Sequence, residues 1–458
     1  MIGRFKNVFI YTFYIIVILG LHSAAGLGQN SSDEDISAAP ASSQDAEPSS
    51  ETWYKNITTR WGGRLRTTGL ASRVTDDSIF EPVGTGTYYD TNANFRLTNE
   101  TFFTDSVFTE IHYELIWYDG DSIQKQNELQ SMFPGLPDNL LFLGEPLNDD
   151  RRLMDLTDII KEKDSWFLAQ RLDRLYFALR GDQGSLRVGR QAITWGDGFV
   201  FNPMDLFNPF PPTAIDREYK TGDDMINAQY SLEQFGDVQL LYVARRNPDN
   251  EQVEFDQASL AGKLHFALGT NEFDVLASKH FEDAVIGAGS RGYLGDTAWR
   301  LDTTWTFLDD GDDYLSLVVN MDYSWVWFKK NFYGFLEYYY NGLGQDDYAD
   351  ALLDPNINER LARGELFVLG QNYLSGHIQV ELHPLFKLTL TAINNIEDPS
   401  GILQPYAVWD VTQNLQMTTG LNLYYGDRGS EFGGFKLPGT DLRNKTPDSA
   451  YLWFIYYF

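Results

Sequence analysis

Apolar and polar residues alternate with a period of two in long runs from Trp61 to the C-terminus. In one run Val107 and Trp117 fall on one face, while Glu110 and Glu114 fall on the other. Side chains of a β-strand point alternately to its two faces, so each run predicts a strand with one apolar and one polar surface. The runs extend over ~10–13 residues, whereas soluble strands average ~5–6 and a tilted strand needs ~9–11 to cross a bilayer. The length therefore favours a transmembrane β-barrel over a soluble sandwich.

The connections between the runs also alternate in length. Short turns, such as residues 181–184, alternate with longer segments at 119–166, 196–222, 342–363 and 427–447. Outer-membrane barrels pair short periplasmic turns with longer external loops, and an even strand number returns both ends to the periplasm. The runs number about eighteen, or about sixteen if a hairpin is split wrongly. We predict an all-β fold: a single antiparallel, up-and-down transmembrane barrel.

Composition agrees with a barrel and excludes several functional classes. The 458-residue chain has no cysteine, 65 acidic against 35 basic residues, and 15% aromatic residues. A formal net charge of -30 argues against nucleic acid as a partner, because nucleic-acid binding requires a basic surface. The lack of cysteine excludes thiolate metal sites and thiol nucleophiles. Tyr and Trp collect at the two interfaces of a membrane barrel, which accounts for the aromatic excess.

The N-terminus is typical of an export signal. Arg4 and Lys6 precede an uncharged, mostly apolar run over residues 8–21, and small residues come after it. Such a run is short of the ~20 residues that a spanning helix needs. We therefore expect residues 1–25 to be a cleaved signal peptide. Residues 26–59, rich in serine and acidic side chains, are expected to be a disordered periplasmic tail, and residues 60–458 to be the barrel.

The C-terminal run ends on an aromatic residue. It places alternate apolar or aromatic side chains on one face: Ala450, Leu452, Phe454, Tyr456 and Phe458. This pattern resembles the C-terminal signature of bacterial outer-membrane barrels, which their assembly machinery reads. It predicts the outer membrane of a Gram-negative bacterium as the location. The expected partners are the lipid bilayer, the assembly machinery through Phe458, and small hydrophilic or anionic solutes.

If the apolar face contacts lipid, the polar face lines a lumen. One inward arginine is more often an ion-pair partner than a ligand contact, but a cluster of guanidinium groups binds carboxylate or phosphate and sets pore selectivity. Arg190 falls on the apolar face, where a bulge at Gly189 or an interfacial position would relieve the cost of its charge. The predicted pore-lining residues are Arg64, Arg66, Arg174, Tyr176, Arg180, Arg187, Gln191, Lys263, His265 and Arg300.

The long segment at residues 196–222 differs from the other connections. It contains two Asn-Pro turns, at Asn202–Pro203 and Asn208–Pro209, and Pro211–Pro212 stiffens the chain after the second turn. A rigid segment with apolar and charged groups suits a loop folded into the lumen as a constriction, but an ordered external loop fits the sequence equally well. The predicted constriction residues are Trp195, Asp197, Asp205, Arg217 and Lys220.

Two segments carry a resemblance to a known family. Arg187–Gln191 followed by Trp195–Gly196 resembles the strand-to-loop motif of the alginate-export type of outer-membrane porin and of related proteobacterial porin-like families. The run from Leu403–Pro405 through Tyr425–Asp427 to Gly429–Gly433 is similar to their last hairpin. The resemblance implies a large barrel, eighteen-stranded in the alginate exporter, with an arginine-rich pore for an anionic polysaccharide.

These observations lead to one main functional hypothesis and two alternatives. We expect an outer-membrane channel, porin-like or exporter-like, that passes hydrophilic and preferentially anionic solutes or a polysaccharide. The first alternative is a structural barrel that sheathes or scaffolds a partner protein. The second, weaker one is an outer-membrane enzyme, for which the sequence offers no G-x-S-x-G, H-E-x-x-H or P-loop motif. No cofactor and no metal are expected.

Overall fold

The computed structural model describes residues 57–76, 78–133 and 147–458. The predicted signal peptide and residues 26–56 of the predicted tail lie outside the described residues. The last two residues of that tail, Thr58 and Thr59, belong to the first strand.

Eighteen long antiparallel strands form a closed ring, and three short strands accompany them. In chain order the strands are β1 (Thr58–Val74), β2 (Gly86–Thr104), β3 (Val107–Gly120), β4 (Thr157–Glu162), β5 (Trp166–Arg180), β6 (Gly184–Gln191), β7 (Asp223–Ser231), β8 (Gly236–Val243), β9 (Ser259–Leu268), β10 (Asn271–His280), β11 (Asp283–Leu294), β12 (Thr297–Phe307), β13 (Tyr314–Trp327), β14 (Lys330–Asn341), β15 (Asn372–His383), β16 (Phe386–Asn395), β17 (Ser400–Asp410), β18 (Leu415–Tyr425), β19 (Phe435–Lys436), β20 (Arg443–Asn444) and β21 (Asp448–Tyr457).

The ring closes through hydrogen bonds between its first and last strands. The main sheet has 19 strands; the short β4 pairs with β5 alone, and the other eighteen form the ring. Each long strand pairs with the next one along the chain, and β21 pairs with β1 from Tyr457 opposite Arg64 to Asp448 opposite Arg73. The predicted all-β, up-and-down barrel is confirmed.

The two faces of the sheet differ in polarity as the alternation predicts. Leu65 on β1 and Leu336 on β14 are 39% and 57% exposed, while the inward neighbour Arg64 is 5% exposed. Many apolar side chains can be exposed on the outer surface of a barrel when lipid, and not water, surrounds it. None of the described helices is long and apolar enough to cross a membrane.

The two ends of the barrel differ in the length of their connections. At the turn end, every connection between strands has two to four residues, such as 105–106 and 181–183. At the loop end lie the long segments 192–222, 342–371 and 426–447, close to the predicted ones, and the described parts of the connection between β3 and β5, residues 121–133 and 147–165. These long segments contain elements that the alternation did not reveal: the short β4, the hairpin of β19 and β20, and the helices α1 (Asp121–Met132), α2 (Tyr348–Ala351) and α3 (Pro355–Arg363).

Several long loops pack against one another at the loop end. Their shared hydrophobic cluster, called the outer cap here, joins side chains from residues 75–85, α1, 342–371 and 426–447. Ile79, Leu129 and Ile357 in it are almost fully buried. Burial of this extent gives the loops a hydrophobic core of their own.

The C-terminal residue takes part in closing the ring. Its backbone exchanges two hydrogen bonds with Gly63, of 3.0 and 3.1 Å, and its ring stacks on Phe95 at 5.7 Å. A side chain at residue 63 would collide with the Phe458 ring and with the Arg96 carbonyl, so the close approach requires glycine. The role of Phe458 as an assembly signal stays a prediction.

A charge placed on the outward face tests whether that face contacts lipid. Leu336→Arg is expected to lower the free energy of unfolding in phospholipid vesicles by ~2–4 kcal/mol, because residue 336 lies midway along β14. Leu353→Arg, on an exposed residue of the loop 342–371, should change it by less than ~0.5 kcal/mol. Equal effects of the two substitutions in a denaturant titration would contradict a lipid-facing surface.

Candidate functional site in the barrel lumen

The connection between β6 and β7, residues 192–222, lies inside the barrel and is called the lumen loop here. It bonds to the inward faces of strands that are far apart around the ring. The Asp197 amide donates to Asp302 on β12, Thr213 accepts from Gln404 on β17, and Asp216 binds Arg64 on β1. A segment outside the barrel could not reach all of these strands, so the lumen-folded alternative is the one that the structure shows.

The tip of the lumen loop is held by one carboxylate on the opposite wall. Glu337 on β14 accepts hydrogen bonds from the backbone amides of Phe199, Val200 and Phe201 at 2.6, 2.9 and 2.8 Å. Phe201 also stacks on Tyr339 of the same strand, with ring centroids 4.4 Å apart. Hydrogen bonds to an ionised acceptor are roughly twice as strong as neutral ones, so this contact fixes where the loop meets the wall.

The base of the lumen loop is closed by a buried ion pair. Lys220 binds Asp205 at 2.5 Å and donates to the carbonyl of Ile193 at the same distance. Burial raises the pKa of Asp205 to about 6, and the Lys220 ammonium opposes this shift. Trp195 is buried nearby and donates its indole N–H to Gln239 on β8 at 2.6 Å. These contacts join the two ends of the loop to each other and to the wall.

A second set of ion pairs ties the loop to β1. Asp216 binds Arg66 at 2.5 Å and Arg64 at 3.2 Å, and Glu218 binds Arg64 at 2.6 Å. Burial pushes the pKa of the Asp216 carboxyl up, but the two guanidinium groups hold it below its usual range. Tyr219 lies beneath the guanidinium of Arg64, 4.6 Å from its ring centroid. Both arginines contact the lumen loop from the inward face of β1, so they anchor the loop instead of lining an open path.

Most of the other predicted pore-lining side chains are also engaged with neighbours inside the barrel. Arg174 binds Asp173 at 2.7 Å, Lys263 and His265 contact Asp274 at 3.4 and 3.2 Å, and Arg300 binds Asp322 at 2.5 Å. Tyr176 donates to Glu110, and Gln191 donates to the Met225 carbonyl at 3.3 Å. Among the predicted constriction residues, Asp197 binds Arg291 at 2.9 Å, and Arg217 donates to loop carbonyls including that of Phe199.

The remaining two predicted pore-lining residues belong to a group with a different character. Arg180 and Arg187 lie over the rings of Phe108 and Tyr176, at 5.5 and 5.9 Å from the ring centroids. Arg60 on β1 lies over Phe102 at 5.1 Å. The three rings are adjacent, since Phe108 stacks on Phe102 at 5.3 Å and meets Tyr176 edge-on at 6.3 Å. We call these three arginines and three rings the basic–aromatic strip.

The strip lies at the turn end of the lumen. Arg180 ends β5 and Arg187 lies in β6 close to the turn 181–183, while Arg60 lies near the start of β1. Leu179 precedes Arg180, and Leu186 and Val188 flank Arg187; all three are exposed on the outward face, so the two arginines face the lumen. Arg60 was not among the predicted pore-lining residues because the alternation was followed only from Trp61. The inward position of Arg60 follows when the alternation is extended back from Arg64.

Arg190 does not contact lipid. It is 2% exposed and binds Asp224 at 2.9 Å and Asp149 at 3.0 Å. Of the two explanations that the sequence left open, the bulge at Gly189 is absent, since β6 pairs with both neighbours in register through this residue, although Gly189 has a φ of 126°. Asp149, which precedes β4, covers the charge and supplies its partner.

Ser259, His280 and Glu365 form a hydrogen-bonded chain of the residue types found in a catalytic triad, which makes it relevant to the enzyme alternative. Ser259 contacts Nδ1 of His280 at 2.9 Å, and Nε2 of His280 contacts Glu365 at 3.0 Å. A nucleophile needs a hydroxyl that a substrate can reach. Ser259 is 1% exposed, and its hydroxyl accepts a hydrogen bond from Arg245 at 2.7 Å, so a substrate cannot reach it. The arrangement is a buried structural chain, not a catalytic one.

The described residues contain no group of three or more His, Asp or Glu placed to hold a metal ion.

Comparison with known proteins gives a distant likeness to porins. A scan against protein-family models found no match, and a search of curated proteins found none. The chain is similar to a BenF-like porin from Pseudomonas fluorescens Pf-5, at 12% identity and a TM-score of 0.47, over 87% of this chain and 98% of the other. It is also similar to OccAB4 from Acinetobacter baumannii and to OpdK with vanillate from Pseudomonas aeruginosa, each at 10% identity over 88% of this chain and 99% of the other, with TM-scores of 0.49 and 0.46.

Likeness at this level supports no statement about function, and the closed hydrogen-bond ladder establishes the barrel independently. None of these three is an alginate exporter, so the resemblance to that type stays a prediction.

Removing the Glu337 carboxylate should release the tip of the lumen loop. In Glu337→Ala, we expect the amides of residues 199–201 to exchange with deuterium at least ~10-fold faster, which corresponds to ~1.4 kcal/mol of lost protection. Glu381→Gln, an inward carboxylate on β15 near the turn end, serves as the control and should leave this exchange unchanged. Unaltered exchange in Glu337→Ala would mean that aromatic packing alone holds the tip.

Proposed function

We propose that this protein is a channel in the outer membrane that admits small hydrophilic solutes and prefers anions. Two features of the barrel support a channel: an apolar outward face and an inward face rich in polar and charged side chains. A barrel of this strand number is wide enough to leave an aqueous lumen between the wall and an inward loop.

The basic–aromatic strip is the observation that carries the anion preference. The other predicted pore arginines have carboxylate partners at 3.2 Å or closer, so their charge is neutralised locally. In the strip, Arg60 contacts Glu100 at 3.9 Å with both side chains exposed, which is a weak pairing. The guanidinium faces lie over aromatic rings, while their N–H edges are available for a carboxylate or phosphate in the lumen. The positive charges of the strip are therefore accessible on the lumen wall, along the path that a solute would take.

The lumen loop favours small solutes over a polymer. It is fixed to β1, β12, β14 and β17 by charged and backbone hydrogen bonds, and these contacts occupy the space between opposite walls. A polysaccharide chain would need this loop to leave its position. The sheath alternative requires a lumen open to a partner protein, and the loop occupies that space as well.

Neutralising the strip should reduce anion preference. In planar bilayers under a salt gradient, we expect Arg180→Gln/Arg187→Gln to shift the reversal potential towards the value for an unselective pore, because the two charges lie on the lumen wall. Unitary conductance should remain, because the lumen loop is held by other residues, such as Arg64, Arg66 and Glu337.

The control is Lys329→Gln, which removes a positive charge from the exposed turn 328–329 at the same end of the barrel. It should leave the reversal potential unchanged. Equal shifts from the control and the double variant would assign the selectivity to the overall charge of the turn end, not to the strip.

A further inference from the structure

Helix α3, in the loop 342–371, has well-defined ends. The Asp354 side chain accepts from the amides of Asn356 and Ile357, and Pro355 occupies the first turn. Gly364 ends the helix with a φ of 68°, and the amides of Glu365 and Leu366 donate hydrogen bonds to the carbonyl of Arg360. Both are standard helix-capping arrangements, and they place the residues around Gly364 in a fixed orientation.

The end of α3 binds the tip of one wall hairpin through three adjacent contacts. Arg360 binds Asp283 at the start of β11, and Glu365 binds His280 at the end of β10 at 3.0 Å. Between them, the Arg363 guanidinium lies over the ring of Phe281, 3.6 Å from its centroid. We call these three contacts the latch.

The hairpin tip is shaped to receive the latch. Phe281 is 3% exposed and has a φ of 55°, a conformation that non-glycine residues seldom adopt. The guanidinium of Arg245, which lies just beyond the end of β8, is also close to this ring, 4.5 Å from its centroid. Phe281 thus contacts two guanidinium groups, one of which comes from the loop 342–371, and this makes the contact specific to the loop position.

A polar cavity of about 80 Å³ lies beneath the latch. The lumen loop contributes Asn202 and Asp205 to its lining, the wall contributes Thr304 and Thr306, and the latch residues Arg360 and Glu365 complete it. A water molecule takes up about 30 Å³ in the liquid, so the cavity has room for roughly two or three. The cavity lies between the lumen loop on one side and the loop 342–371 on the other.

We propose that the loop 342–371 is a gate that the latch holds closed over this cavity, so that release of the latch joins the cavity to the outside. This inference rests on the proposed channel function. The latch consists of one ion pair, one hydrogen bond and one cation–π contact, and water can solvate the polar groups of all three when the loop lifts. A polar cavity accepts water readily, so opening would hydrate the path instead of exposing an apolar surface.

The gate can be tested by thiol labelling, because the chain contains no cysteine and an introduced cysteine is the single site of reaction. Thr304→Cys introduces one thiol into the cavity wall, where the residue is 4% exposed. A membrane-impermeant methanethiosulfonate should label this thiol slowly in the otherwise unchanged full-length protein in vesicles. Adding Arg360→Gln/Glu365→Gln should accelerate labelling at least 10-fold. Glu365→Gln alone, which preserves the shape of the side chain, should give an intermediate rate.

Two controls separate gating from general loosening. Asp350→Asn removes a charge from the same loop at an exposed residue and should leave the Thr304→Cys rate unchanged. Ser324→Cys, an exposed residue near the turn end of β13, should label at one rate with or without the latch substitutions. Equal labelling of Thr304→Cys in the latch and Asp350→Asn backgrounds would overturn the gate.

Conductance distinguishes failure of the gate from failure of the channel. We expect the latch variant to raise the open fraction of single channels several-fold over the unmodified protein. A fully open unmodified protein would overturn the gate and leave the channel function standing. Faster labelling without conductance in any variant would show that the loop moves and would contradict the proposed function instead.

Discussion

The hydrogen-bonding needs of the backbone in lipid determine much of this molecule. Water is absent from the bilayer core, so every amide and carbonyl of a spanning strand needs a partner, and a sheet meets this need when it closes. Closure here occurs between β1 and β21, where the terminal Phe458 exchanges hydrogen bonds with Gly63. A ring of eighteen strands is too wide for inward side chains to fill. The chain therefore places its own segment, residues 192–222, in the lumen.

Charge is distributed according to the same constraint. Apolar side chains occupy the lipid face, so arginines accumulate on the lumen face, where a carboxylate partner lowers the cost of burying each one. Arg64, Arg66 and Arg300 follow this rule and help to position the loop. The strip residues Arg180 and Arg187 instead lie over aromatic rings near the turn end. A formal charge of -30 consequently says little about the lumen, whose selectivity depends on which arginines lack a close carboxylate.

Sequence reasoning found the barrel because period-two alternation is a local signal that every strand repeats. It also placed Arg64, Arg187 and Arg300 on the inward face, since that follows from their apolar neighbours. It could not assign their partners. The Glu337 carboxylate meets the loop amides across more than 130 residues of sequence, and Asp149 meets Arg190 from another loop. Such contacts form only when the barrel brings distant parts of the chain together. The period-two alternation therefore could not predict α3, the latch or the position of the lumen loop.

The proposed function requires that hydrophilic anions pass through this lumen. The most direct measurement is the swelling rate of liposomes that contain the purified protein, in solutes of equal size and different charge. A small carboxylate should enter faster than a neutral sugar-sized solute, and a cation of that size should enter most slowly. Equal rates for all three would contradict the anion preference. No swelling above protein-free liposomes, either with the unmodified protein or with Arg360→Gln/Glu365→Gln, would contradict the channel itself.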